Sequence, residues 1–163
     1  MAKIVVADTG SLIALAILDM LPILPNLFDE IYAPDAVINE ALVEISQPGA
    51  KAIDTAIKTA LIKPYTVEVT ELFKDLVDYL DQGEAEALTL AKLLNAIAII
   101  DEKRARKFAL THGIKITGSA AILIAAKNEG SIDSVKPALE KLKYHGYRMS
   151  ESLIDDILRR VEE

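Results

Sequence analysis

The 163-residue chain predicts an α/β fold organised on a parallel sheet. Two apolar runs carry that expectation, and each ends in an aspartate. Ile4-Val5-Val6-Ala7 leads into Asp8, and Ala96-Ile97-Ala98-Ile99-Ile100 leads into Asp101. Short, uniformly apolar and largely β-branched runs suit strands covered on both faces. The third observation is the helical stretch over residues 84–94, ahead of the second run. Its length at about 1.5 Å per residue is roughly 16 Å, which five strand residues at about 3.3 Å also span. The helix therefore returns Glu84 to the edge where Asp101 emerges. With the two strands as parallel neighbours, Asp8 joins them at the carboxyl edge, where open α/β sheets build their sites.

In chain order, residues 3–7 form the first strand, and Asp8-Thr9-Gly10-Ser11 is turn chemistry leading into a helix from Leu12. The plain reading of Asp8 is a cap for that helix. Pro22 and Pro25 punctuate a short helix over residues 20–28, and residues 30–33 form a strand. Pro34 opens a helix at its favoured first position. That helix extends to Ile45, with Val37, Ile38, Ala41, Leu42 and Ile45 as its apolar stripe. Glu40 and Glu44 lie one turn apart on it, and the helical wheel puts Glu44 nearer the apolar face. Gln47-Pro48-Gly49 breaks the helix; residues 50–60 form another, and residues 61–69, with Pro64, form an extended region. Thr70 caps a helix over 71–80, and Asp81-Gln82-Gly83 separates it from the 84–94 helix. There Glu84 shares a face with Ala87, Leu88, Ala91 and Leu94, while Glu86 points to the other side. The helix dipole favours an anion at that N-terminus, but a buried carboxylate needs a partner or a cation.

After Asp101, Glu102-Lys103-Arg104-Ala105-Arg106-Lys107 is the densest basic cluster in the chain and opens a helix that Gly113 ends. It is either a solvated face or a set of phosphate contacts. Residues 114–116 form a strand. The hydroxyls of Thr117-Gly118-Ser119 cap the following helix, over 120–127, or hold a water on a metal. Two helices close the chain, over 134–144 and from Ser150 as cap, joined by the turn His145-Gly146-Tyr147-Arg148.

Composition bounds the function. A chain with 52% hydrophobic and 26% charged residues is globular rather than disordered, and its length predicts one domain, 1–163. A net charge of −7 argues against nonspecific coating of nucleic acid, though not against an enzyme that holds nucleic acid through metal ions. With no cysteine, disulfides and thiolate metal sites are excluded. No apolar run reaches the ~20 residues of a membrane span, and no secretory leader is visible, so the expected location is cytoplasmic. His112 and His145 lie far along the chain from the acids and carry no catalytic expectation. Clustered carboxylates raise one another's pKa unless a cation intervenes. Oxygen ligands without His or Cys select Mg²⁺ or Mn²⁺, and the natural substrate for such an ion is a phosphodiester.

The segment Val6-Ala7-Asp8-Thr9-Gly10-Ser11-Leu12-Ile13-Ala14-Leu15 resembles the opening of PIN domains. Gly83-Glu84-Ala85-Glu86-Ala87 and Ile100-Asp101-Glu102-Lys103-Arg104-Ala105-Arg106 resemble the PIN-like prokaryotic family DUF3368, as do Asn128-Glu129-Gly130-Ser131-Ile132 and Gly146-Tyr147-Arg148-Met149-Ser150. The resemblance spans essentially the whole chain. It implies a three-layer α/β/α fold with a central parallel sheet of four to five short strands, the helices over 134–162 packed on it. It implies a Mg²⁺- or Mn²⁺-dependent endoribonuclease that hydrolyses RNA with metal-activated water, as in the toxin half of toxin–antitoxin pairs. Asp8, Glu40, Glu84 and Asp101 are the implied catalytic, metal-holding acids. Glu40 fits the family spacing where the wheel favours Glu44. Thr9, Ser11, Lys103, Arg104 and Arg106 are candidates for the substrate side. The implied partners are RNA, an antitoxin protein and a second copy in a homodimer. One departure stands out: PIN domains often carry Ser or Asn two residues after the first Asp, and this chain has Gly10. Either Thr9 or Ser11 supplies the hydroxyl, or the site is weaker. The alternative is a PIN-like module that binds RNA or a partner protein without cutting. A phosphatase using Asp8 as nucleophile is the weakest reading, because no second acid follows two residues later.

Overall fold

The computed structural model describes residues 3–163. Its strands are β1 (Ile4–Ala7), β2 (Glu30–Pro34), β3 (Lys63–Tyr65), β4 (Ile97–Ile99) and β5 (Ile116–Thr117). They form one all-parallel sheet in the order β3-β2-β1-β4-β5. From β1 the chain builds outward through β2 and β3, then crosses to the other side of β1 for β4 and β5. The order therefore reverses between β1 and β4, the switch point where open α/β sheets leave a crevice at their carboxyl ends. Val6 pairs with Ala98 and Ala7 with Ile99, so Asp8 and Asp101 leave the sheet from neighbouring strands at that crevice. Pro64 is tolerated because β3 is an edge strand.

Side chains alternate across the strands and divide the core in two. Val5, Ala7, Ile31, Ala33 and Ile99 face one layer, with α1 (Thr9–Ile17), α3 (Ala50–Lys58), α7 (Ser119–Glu129), α8 (Lys136–Tyr144) and α9 (Glu151–Arg160) contributing to that core. Val6, Ala98 and Ile100 face the other layer, made by α4 (Glu71–Val77), α5 (Gln82–Leu94) and α6 (Lys103–Thr111). The three-layer α/β/α architecture expected from the sequence is the one observed. Among the described residues no helix is long and apolar enough to cross a membrane.

Five local expectations are corrected. Pro34 ends β2 in an extended conformation and serves as the N-cap of α2 (Asp35–Leu42), not as its first helical residue. That helix stops at Leu42, three residues before Ile45; Val43 and Ile45 are 81% and 48% exposed, so no packing sustains its last turn. Over residues 20–28 the helix is a 3-10 helix, Leu21–Asn26; Pro22 and Pro25 lack the amide protons that an α-helical ladder needs. α5 begins at Gln82, because Asp81 caps it in a reciprocal box with Glu84, and Gly83 lies inside its first turn. Finally, α5 is buried on every side from Gly83 to Ala91. α2 packs over it, and buried Glu86 accepts hydrogen bonds from the Ala36 amide at 3.3 Å and from Gln82 at 3.0 Å.

Candidate functional site

Asp8 is 4% exposed and caps α1. Its Oδ1 accepts from the Ser11 amide at 2.9 Å and stands 2.5 Å from Ser11 Oγ, which in turn lies 2.7 Å from the Ile99 carbonyl oxygen. A single hydroxyl proton cannot serve both acceptors. Protonated, the Asp8 carboxyl would donate to Ser11 Oγ and leave the hydroxyl proton for the Ile99 carbonyl. The electrostatics agree. Burial raises the Asp8 carboxyl from 3.8 to about 6; the Ser11 bonds oppose the shift, and the charges of Asp101 and Asp81 add to it.

The other acids approach the same crevice from separate elements. Asp101 follows β4 and is held on both oxygens by Ser119, whose amide donates to Oδ1 at 2.7 Å and whose hydroxyl donates to Oδ2 at 2.5 Å. The Ser119 hydroxyl thus orients Asp101 rather than capping its own helix. Glu84 is the third residue of α5 and is 8% exposed. Burial and a proton shared with the Glu102 carboxyl lift it from 4.5 to about 8; the Asp81 amide opposes, and the charges of Asp81 and Glu102 add. Glu40, on α2, accepts from Thr9 Oγ1 at 2.5 Å. Gly83 makes this approach fit: a Cβ there would stand 2.7 Å from Glu40 Oε2 and 3.0 Å from Thr9 Oγ1. The obstructed atoms end flexible side chains, so Gly83→Ala is expected to cost under about 1 kcal/mol of stability while displacing Glu40 and lowering any metal affinity of the pocket. Thermal melting paired with Mn²⁺ titration checks this; unchanged affinity would remove Glu40 from the site.

Together these residues line a pocket of about 450 Å³ with six carboxylates: Asp8, Glu40, Asp81, Glu84, Asp101 and Glu102. Among the described residues no cationic side chain lines it. Tyr147, half-buried, closes one side. Burial raises its pKa, and the Asp101 and Asp8 charges add to the shift. Among the described residues no three acids or histidines converge as a ready-made ligand set. Each of the four acids is turned instead onto a hydroxyl or amide partner.

The chain matches DUF3368, a PIN domain, over residues 4–163. It belongs to that PIN-domain family. Among solved structures, a domain of a functionally unknown protein from Methanocaldococcus jannaschii DSM 2661 is similar, at 19% identity and a TM-score of 0.46, over 72% of this chain and 91% of that one. No curated protein matches the chain.

PIN domains have a nuclease-type fold, and this PIN domain brings Asp8, Glu40, Glu84 and Asp101 to one pocket, with Thr9 and Ser11 holding two of the acids. Glu44 is elsewhere, past the end of α2, accepting from Gln47 at 2.8 Å. The basic cluster divides. Lys103 and Arg104 are exposed on the first turn of α6. Arg106 is part-buried and donates from Nη1 to the Ile100 carbonyl at 2.8 Å, crossing Gly118, where a Cβ would stand 2.9 Å from that nitrogen. Arg106 therefore fixes the backbone just before Asp101, a positioning role the sequence reading did not anticipate. Asp81, Glu102 and Tyr147 were also missed. The Asp-x-x-Glu spacing of Asp81 and Glu84 signalled a capping box, and Glu102 directly follows Asp101. Tyr147 carries no local signal, since only the tertiary fold brings its turn to the pocket.

Proposed function

We propose that this PIN domain is a Mg²⁺- or Mn²⁺-dependent endoribonuclease. The observation that carries the reading is the six-carboxylate pocket at the β1/β4 switch point, which no cationic side chain among the described residues lines. The donor set fits a hard divalent ion in kind: it is all oxygen, two of its acids are pushed toward neutral pH by burial and mutual repulsion, and deprotonation by a cation would relieve both. Asp8, Glu84 and Asp101 would hold the ion, with Glu40 as the fourth acid. When bound, such an ion lowers the pKa of a water and offsets charge on a phosphoryl oxygen. The chain's own residues prepare the site: Ser119 fixes both oxygens of Asp101, Ser11 fixes Asp8, Thr9 aims Glu40, and Arg106 anchors the turn that carries Asp101. The toxin half of a toxin–antitoxin pair is the biological role in keeping with this reading. An antitoxin protein and a second copy of the chain are its partners, and the cytoplasm is its setting.

Asp101→Asn keeps an acceptor for the Ser119 amide and removes the charge. Mn²⁺-dependent cleavage of single-stranded RNA is expected to fall at least about 100-fold, roughly 3 kcal/mol of barrier, with an unchanged circular dichroism spectrum. Cleavage at the parental rate would overturn the assignment. A second reading has its own support in Gly10 and in the four acids already engaged by protein donors. A non-cutting module would bind RNA yet show no Mn²⁺-dependent cleavage in the parent chain.

A further inference from the structure

We propose that the pocket beside the acidic one is a base-binding subsite, which takes the nucleobase next to the scissile phosphate and stacks it on Tyr147. The inference rests on the nuclease reading of the acidic pocket and adds to it a place for the base.

The second pocket has a volume of about 260 Å³ and shares Glu40 and Tyr147 with the acidic one. Tyr147 is therefore the partition between them. The two pockets differ in chemistry. The acidic pocket offers carboxylates and hydroxyls, nothing that grips a base apart from the face of Tyr147. The second has two carboxylates, Glu40 and Glu44, beside the imidazole of His145, and apolar walls from Ile13, Ala41, Val43 and Pro48. Val43 is 81% exposed, an apolar side chain that an inserted ring would cover. At the rim, Gln47 donates one amide proton to Glu44 at 2.8 Å, which leaves its second proton and its carbonyl oxygen without a protein partner among the described residues. A donor and an acceptor on one planar group match the edge of a nucleobase. The volume falls below the roughly 300–1,000 Å³ of drug-sized sites, so the space suits one flat ring system rather than a whole nucleotide. A base in a duplex is stacked and paired on both sides; only one splayed from a single strand or loop can enter such a slot. Phosphate in the six-carboxylate pocket and base in the second, whose Gln47 amide and carboxylates can meet a base edge, is thus the division of labour.

The test is photo-cross-linking of the full chain to single-stranded RNA carrying one 4-thiouridine or one 6-thioguanosine, followed by mapping of the linked peptide. Links are expected at Tyr147 or within residues 43–48. Tyr147→Ala is expected to weaken binding of a short single-stranded oligoribonucleotide about tenfold, as loss of one aromatic stacking platform does. Tyr147→Phe, which keeps the ring, is expected to retain the parental affinity. Links that map only to other segments, no link at all, or equal losses from both substitutions would overturn the subsite. The outcomes separate from those of the nuclease reading. A chain that cross-links at these positions without cleaving keeps the subsite and loses the nuclease; a chain that cleaves but cross-links elsewhere does the reverse.

Discussion

Replacing Asp8 by Asn is expected to remove Mn²⁺-dependent cleavage and, at pH 8, to make the metal-free protein more stable than the parent. The two effects share one cause. Asp8 is buried with its carboxyl raised from 3.8 to about 6, so at pH 8 the folded state must hold an ionised group that it disfavours. Asparagine keeps one oxygen at the Oδ1 position, where the Ser11 amide and hydroxyl both point, and carries no charge. The upper bound on the gain is on the order of 3 kcal/mol, from about two pKa units at about 1.4 kcal/mol each. Because the folded pKa is raised, Asp8 contributes stability that is fully present below 3.8 and lost as pH rises through about 6. The advantage of the variant should therefore shrink as pH falls and vanish near pH 4. Thermal unfolding across that range checks it. A variant less stable than the parent at pH 8 would contradict the strained-carboxylate account, and retained cleavage would take Asp8 out of the chemistry.

The second large effect is the pH dependence of the parent itself. Asp8 at about 6 and Glu84 at about 8 are both raised, so both contributions are lost as pH rises, and the metal-free protein should melt at progressively lower temperature between pH 5 and pH 8.5. A divalent cation reverses the slope, because it binds the deprotonated acids and competes with protons. Saturating Mn²⁺, about 100 times its dissociation constant, should restore about 2.7 kcal/mol. For a chain of this size that amounts to several degrees in melting temperature. At one fixed Mn²⁺ concentration the rise should be larger at pH 8 than at pH 5.5, because protons compete for the acids at the lower pH. An equal shift at both pH values would mean that the ion binds elsewhere.

The two central strands, β1 and β4, were legible because each is a short apolar run closing on an aspartate, as buried parallel strands at a site are; edge strand β3, Lys63-Pro64-Tyr65, carries no such signal and was read only as extended. The proximity of Glu84 to Asp101 was legible for a different reason, since helix and strand lengths match and force the return. Where the reading failed, it treated a helix as if one face met water. Glu86 lies beneath α2, and Glu44 drops off a helix that ends at Leu42; a helical wheel contains neither fact. Glu40 came from family spacing alone, and the structure then showed why it fits, through the absent Cβ of Gly83. Gly83 itself was taken as a breaker, although Asp81 and Glu84 cap across it. The anchoring bond of Arg106 and the place of Tyr147 depend on elements far apart in the chain meeting at one edge, and no local pattern encodes that.

Calorimetric titration of Mn²⁺ into the metal-free parent and into the Asp8→Asn/Asp101→Asn double variant at pH 8 tests the central claim most directly. The account predicts saturable binding of at least one ion per chain, with proton release from the raised carboxylates, and no binding to the double variant. Equal binding by both proteins, or none by the parent, would contradict it.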